Sequence, residues 1–143
     1  MIHTEKPDIF DPIFEVVSCY VEHDGKILLL HRQDHKSEGD CWGLPAGKVD
    51  EGESIAEAVI REVQEETGQK IIEENLNYVG KVYVKYPDYD FIYHIFKTVI
   101  SEEPIITLSE GEHKAYQWEA PAKAMDLKLV RDLDECIKMT YSI

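Results

Sequence analysis

Basic residues are scarce in this sequence, and long apolar runs are absent. The chain has 15 lysine and arginine residues against 29 aspartate and glutamate residues, which gives a formal net charge of −14. Such a chain is not expected to bind duplex nucleic acid or an anionic membrane, because both carry negative charge. No segment approaches the roughly 18 consecutive apolar residues that a membrane-spanning helix requires. A phosphate-rich ligand would therefore need metal ions or a few well-placed cations.

Cysteine is equally scarce, with only Cys19, Cys41 and Cys136. Their odd number and wide separation fit no metal-ligand spacing, so we predict free thiols in a reducing compartment. Core packing is the expected role of Cys19 and Cys136. The first twelve residues carry three acids and lack the apolar stretch of a signal peptide, which predicts a cytoplasmic protein.

Recognisable catalytic patterns of histidine are also lacking. The six histidines form no ligand pattern such as His-x-x-x-His, and no Ser–His or Cys–His pair can be inferred. Each is expected to lie at the surface or in ordinary packing. His113 differs from the others because it adjoins Glu112, another candidate residue.

One segment combines clear helix signals with an unusual charge pattern. Ser54 and Glu57 form a capping box, so the sequence predicts a helix from Ile55 to Thr67. Gly68 is placed to end that helix in the left-handed conformation.

Acidic residues interrupt the apolar face of this helix. At about 100° per residue, the apolar stripe consists of Ile55, Ala58, Val59 and Val63. Glu62 and Glu66 fall within the stripe and Glu65 lies at its edge, so the three carboxylates can converge on one point. Carboxylates facing a core are costly unless they bind a cation, and Mg²⁺ takes oxygen ligands of this kind. The alternative is a solvated acidic face, but such a face should lie opposite the apolar stripe.

The segment from Gly47 to Gln69 resembles the signature of the Nudix hydrolases. The matching positions are Gly47, Glu53, Arg61, Glu62, Val63, Glu65, Glu66 and Gly68. One position departs from the signature, because the family has an aliphatic residue where this chain has Gln69. The resemblance implies an α/β/α sandwich with a mixed central sheet and a divalent metal cofactor. It also implies hydrolysis of a nucleoside diphosphate linked to another group.

The resemblance further assigns roles to individual residues. The metal, Mg²⁺ with Mn²⁺ as a substitute, would be held by the Ala46 carbonyl and by Glu62, Glu65 and Glu66. Gly47 would permit a backbone conformation that aims carbonyls at the metal, and both Gly47 and Lys48 would bind substrate. Arg61 is expected to orient a glutamate through a charge-assisted hydrogen bond.

Two assignments among the acidic residues remain open at this point. The general base is either Glu65 or Glu112, which resembles the distal acid that many Nudix enzymes supply from a loop. Glu110 is the substitute for Glu112. Glu53 could bind metal through water or hold its loop by hydrogen bonds, and we favour the second role.

Three residues outside the signature could contact the substrate. Arg32 ends an apolar strand, where it faces either substrate phosphate or a surface ion pair. Tyr86 and Tyr89 flank a turn and could stack on a base, although an aromatic stripe on a strand is more often core.

The other elements are predicted from periodicity. Strands are expected over residues 14–22, 26–31, 75–86, 90–101 and 115–118. The second of these has no polar alternation and should be a central strand. A single helical region is expected from Pro121 through Ile137, packed on the sheet. Together these elements predict an α/β fold in one domain over residues 1–143.

The function that this reasoning favours is a Mg²⁺-dependent pyrophosphohydrolase acting on a small-molecule nucleotide. Family resemblance favours a nucleoside triphosphate, including oxidised ones, with a nucleotide sugar or ADP-ribose as alternatives. The competing class is a non-catalytic Nudix module that only binds a nucleotide, but such a module has little need of three clustered carboxylates. The chain is expected to be a monomer or a homodimer.

Overall fold

The structure, a computed structural model, describes all of residues 1–143. Its elements in chain order are β1 (Ile2–His3), β2 (Pro12–His23), β3 (Lys26–Arg32), β4 (Trp42–Gly43), β5 (Ala46–Lys48), α1 (Ile55–Thr67), a 3₁₀ turn (Glu73–Asn75), β6 (Leu76–Lys85), β7 (Asp90–Val99), β8 (His113–Glu119), α2 (Pro121–Ala124) and α3 (Leu133–Tyr141). No helix of the structure combines the length and the hydropathy that a membrane span requires.

The strands form one mixed sheet in the order β1-β6-β7-β2-β3-β4, with β5 paired to β2 and β8 paired to β3. The central pair of β2 and β7 is parallel, whereas the other pairs are antiparallel. The four residues from Ile27 to Leu30 are completely buried, as their unbroken apolar run predicts for a central strand.

Helices cover both faces of this sheet. On one face α1 buries Ala58, Val59 and Val63 against a cluster that includes Cys19 of β2. On the other face α3 packs against a second cluster that includes Cys136. The expected α/β/α sandwich is therefore confirmed, and both cysteines are free thiols in its cores.

The predicted boundaries of α1 are confirmed by its caps. The Ser54 hydroxyl accepts a hydrogen bond from the Glu57 amide at 3.1 Å, and the Glu57 carboxylate accepts one from the Ser54 amide at 2.9 Å. Gly68 adopts a φ of 76° and donates its amide hydrogen to the Gln64 carbonyl. This left-handed residue ends the helix at Thr67.

The prediction of one continuous C-terminal helical region was wrong. The helix α2 ends at Ala124 and α3 begins at Leu133, and the chain between them is not helical around Leu129. Here the Trp42 amide donates to the Lys128 carbonyl at 2.8 Å, and the Trp42 carbonyl accepts from the Val130 amide at 2.9 Å. Pairing with β4 thus takes backbone groups that a helix would need.

Candidate active site

The strand β5 and the helix α1 meet at a very close contact between Gly47 and Glu62. An ideal Cβ at position 47 would lie 2.2 Å from the carboxylate of Glu62. Gly47 does not have a positive φ. Glycine is therefore not required here for a left-handed backbone, and its small size, which admits the Glu62 carboxylate, is the physical reason for it.

Glu66 is the most buried carboxylate of the site. The residue is 6% exposed, and its Oε2 accepts a hydrogen bond from the Ala46 amide at 2.9 Å. Burial raises the pKa of Glu66 well above its ordinary value, and the charges of Glu62 and Glu112 raise it further. Its Oε1 lies 3.9 Å from Nε2 of His113 and accepts no hydrogen bond. Oε1 of Glu66 thus has no hydrogen-bond partner in the protein, although little of the residue is exposed.

Glu62 shares this environment but is partly neutralised. Burial raises the pKa of Glu62, whereas a 2.8 Å hydrogen bond from Arg61 lowers it. The same Nη1 of Arg61 reaches Glu65 at 3.3 Å, and the Glu65 side chain is 57% exposed. Arg61 therefore holds Glu62 and Glu65, whereas Glu66 is held at the start of β5 by the Ala46 amide. No three carboxylate, imidazole or thiol groups are arranged as a metal cage in this structure.

Arg61 also ties the signature loop to α1. Its Nε and Nη2 donate to the two carboxylate oxygens of Glu53 at 2.8 and 3.0 Å, and Nη2 donates to the Lys48 carbonyl at 3.1 Å. Glu53 in turn accepts from the Asp50 amide at 3.0 Å. These bonds are of the kind expected if Glu53 holds the loop and Arg61 orients glutamates.

Of the two loop acids, Glu112 lies nearer to the site. Its charge raises the pKa of both Glu62 and Glu66, and Oε1 of Glu112 lies 3.5 Å from the ammonium of Lys36. Glu110 has no comparable effect on those glutamates, and its carbonyl accepts a hydrogen bond from the Gln33 side chain.

His113 is a site residue that sequence reasoning missed. It is 2% exposed, and its Nδ1 has no hydrogen-bond partner. Burial lowers the pKa of His113 to about 4, and the nearby charge of Arg32 lowers it as well. The only sequence signal was its position next to Glu112, which does not reveal that the ring turns inward.

A cavity of about 350 Å³ adjoins this group of charged residues. Ala46 and His113, which both contact Glu66, form part of its wall. Four of the residues predicted to bind substrate line the wall, namely Arg32, Lys48, Tyr86 and Tyr89. Phe14 also lines the wall, and the sequence reasoning missed this residue. Gly47 lies beside the cavity, between Ala46 and Lys48, but does not line it.

Arg32 and Lys48, two cationic side chains of the cavity wall, form no salt bridges. The guanidinium of Arg32 donates to the carbonyl of Ser37 at 2.8 Å and forms no salt bridge, so the alternative of a surface ion pair is not realised. Nζ of Lys48 lies 4.3 Å from the ring centroid of Phe14. Both charges thus remain available to an anionic ligand.

An aromatic cluster forms another part of the wall. The rings of Phe14 and Phe91 stack with centroids 5.2 Å apart, and Tyr89 lies 5.6 Å from Phe14. Tyr86 packs edge-on against Tyr89 at 5.6 Å. Tyr86 and Tyr89 therefore pack against each other and also line the cavity. The two roles considered for them, packing in the core and stacking on a base, are compatible.

Comparisons with known proteins agree with this description. A model of the NUDIX domain matches residues 13–139. The chain is 38% identical over 126 residues to an ADP-ribose pyrophosphatase of Methanocaldococcus jannaschii, with 85% of this chain and 69% of the relative covered. It is 34% identical over 119 residues to a CTP pyrophosphohydrolase of Escherichia coli, with 82% and 83% covered.

A solved structure shows the same architecture. The MutT protein from Methanosarcina mazei Go1 superimposes with a TM-score of 0.79 at 26% sequence identity, and the alignment covers 94% of this chain and 97% of that chain.

Proposed function

Because this chain belongs to the NUDIX family, we propose that it is a Mg²⁺-dependent pyrophosphohydrolase. In this proposal it cleaves a nucleoside triphosphate to a nucleoside monophosphate and inorganic diphosphate. The chain is a Nudix hydrolase of nucleotide-linked substrates. The observation that carries the Mg²⁺ assignment is a buried Glu66 whose Oε1 has no hydrogen-bond partner, next to the wall of an aromatic and cationic cavity.

The donor groups present fit a hard divalent cation. They are the carboxylates of Glu62, Glu65 and Glu66 and the carbonyl of Ala46, all of which offer oxygen. A buried carboxylate with a free oxygen is unfavourable unless it is protonated or bound to a cation. These four groups would hold the metal, and a bound divalent ion would neutralise phosphate charge and lower the pKa of a water molecule.

The remaining work falls to groups of the chain itself. Arg61 holds Glu62 and Glu53 in place, so that the carboxylates keep their orientation. Arg32 and Lys48 supply positive charge for the phosphates, and the aromatic rings give the nucleoside an apolar surface.

A carboxylate must also accept the proton of the attacking water. Glu65 and Glu112 are the two candidates, since both side chains are about half exposed and lie at the edge of the site. Glu65 already accepts hydrogen bonds from Arg61, whereas Glu112 has only the long contact with Lys36. We therefore favour Glu112 as the base.

The choice of a triphosphate rests on a relative of similar length. The CTP pyrophosphohydrolase is covered over 83% of its length, and it acts on a nucleoside triphosphate by its name. ADP-ribose is the second candidate, because the ADP-ribose pyrophosphatase has the higher identity of 38%.

A substrate panel tests this proposal. The chain is incubated with Mg²⁺ and each nucleoside triphosphate, with a nucleotide sugar or with ADP-ribose, and the products are separated by ion-exchange chromatography. We expect a nucleoside monophosphate and inorganic diphosphate in equal amounts from a triphosphate. Faster release of AMP and ribose phosphate from ADP-ribose would contradict the triphosphate assignment. Nucleotide binding without release of product from any substrate would favour a non-catalytic binding module.

A further inference from the structure

One cation of the cavity wall has no role in the proposed reaction. Arg131 lines the cavity and places its Cζ 4.5 Å from the ring centroid of Tyr86. Its backbone amide donates to the Glu38 carboxylate at 2.6 Å, but its guanidinium forms neither a salt bridge nor a hydrogen bond. Like Arg32, Arg131 therefore has no acidic partner, although the chain has 29 acidic residues. The stacking on Tyr86 holds the guanidinium while leaving its donors free.

Two carboxylates share this end of the cavity. Glu38 and Asp132 both line it. Burial raises the pKa of Tyr86, and the charges of Asp132 and Glu38 raise it further, which places both close to this ring. Oδ2 of Asp132 is buried without a directed hydrogen bond and lies 3.3 Å from the Met1 ammonium.

This charge distribution narrows the chemistry of the ligand. A phosphate group placed beside Arg131 would also lie near the carboxylates of Glu38 and Asp132 and would be repelled by them. A neutral group with adjacent acceptors and a donor would satisfy Arg131 and a neighbouring carboxylate together. The aromatic rings beside them suit a flat heterocycle, since bases stack on such rings.

The nucleobases differ in the order of their acceptors and donors. Guanine presents N7 and O6 as adjacent acceptors followed by the N1 hydrogen, and cytosine presents O2 and N3 followed by its amino group. Adenine and uracil alternate acceptor, donor and acceptor along the corresponding edge. The fork of an arginine takes two adjacent acceptors, and a carboxylate takes a neighbouring donor.

We propose that Arg131, with Asp132 beside it, reads the base of the substrate and selects guanine or cytosine over adenine and uracil. The assignment rests on the proposed function, because it takes the cavity to hold the nucleoside of a nucleotide substrate.

The first test compares kcat/KM for GTP, CTP, ATP and UTP. We expect the wild type to favour GTP or CTP over both ATP and UTP by roughly 5- to 150-fold. Arg131→Ala should lose that preference, and Arg131→Lys should lose most of it, because lysine keeps the charge without the fork. The matched control is Lys128→Ala, which removes an exposed cation from the same segment and should keep the preference. Which of GTP and CTP is preferred identifies the base.

A preference for ATP or UTP, or no preference, would overturn the assignment. So would an Arg131→Ala variant with unchanged base preference. Thermal melting checks that the variants fold, and Arg131→Lys keeps the test decisive if the alanine variant is unstable.

Calorimetric binding of GMP, CMP, AMP and UMP separates this inference from the proposed function. Tighter binding of GMP or CMP by at least roughly tenfold, without hydrolysis of any triphosphate, would support base reading and contradict the hydrolysis proposal. Hydrolysis of all four triphosphates at equal rates, with equal binding of the monophosphates, would contradict base reading and support the hydrolysis proposal. Failure to bind any of the four monophosphates would also overturn the assignment.

Discussion

Glu62 packs its carboxylate against the α-carbon of Gly47, at a distance that leaves no room for a side chain. The relationship joins the strand that carries the Ala46 carbonyl to the helix that carries the three glutamates. A glycine at the start of the signature is thus explained by close approach.

Gly47→Ala should displace Glu62 and reduce activity strongly. Overpacking of this kind costs about 1–3 kcal/mol of unfolding free energy, so the variant should still fold. The measurements are kcat/KM and the denaturation midpoint. If the loss acts through Glu62, the double variant with Glu62→Gln should be no less active than Glu62→Gln alone. Additive losses would show that Gly47→Ala acts independently of Glu62, and wild-type activity of Gly47→Ala would show that the contact is unimportant.

Arg61→Lys should weaken both the loop and the site. Lysine cannot reproduce the paired hydrogen bonds to Glu53 or serve Glu62 at the same time. We expect a loss of about 10- to 100-fold in kcat/KM, the range typical of residues that orient metal ligands, because Arg61 orients the proposed ligand Glu62. Glu53→Gln should reproduce part of this loss, because it weakens the same pair from the other side. Activity of Arg61→Lys within experimental error of the wild type would contradict the positioning role.

Cys136 should resist alkylation although it lines the cavity. Burial raises the pKa of its thiol to about 12, and the charges of Asp132 and Glu135 raise it as well. Since the thiolate is the nucleophile, the folded protein at pH 8 should have almost no reactive form at this position. Iodoacetamide labelling followed by peptide mass spectrometry should modify Cys136 only after unfolding. Rapid labelling of the native protein would contradict this.

The sequence predicted the features that depend on local signals. The capping box and Gly68 fixed both ends of α1, and the apolar run from Ile27 to Leu30 correctly indicated a central strand. These signals are strong because they depend on backbone groups of the same turn or on burial of one strand.

Features that depend on long-range pairing were not predictable. Helical spacing of apolar residues continued from Leu129 to Ile137, but contacts with Trp42 hold the first part of that segment in a non-helical form. The inward turn of His113 and the stacking of Arg131 on Tyr86 likewise arise between distant parts of the chain.

Glu66→Gln tests the central claim, that a buried carboxylate in this site is made favourable by a divalent cation. Burial disfavours its charged form, so the variant without metal should be as stable as the wild type or more so. Metal bound only to the folded state stabilises by RT ln(1 + [L]/Kd), about 2.7 kcal/mol at 100 times Kd.

The decisive measurement is therefore thermal melting with and without Mg²⁺, paired with the rate of triphosphate hydrolysis. We predict that Glu66→Gln abolishes both the Mg²⁺-induced rise in melting temperature and the hydrolysis. The control Glu74→Gln, at an exposed position outside the site, should keep both. A Glu66→Gln variant that retains turnover and Mg²⁺ stabilisation would contradict the account.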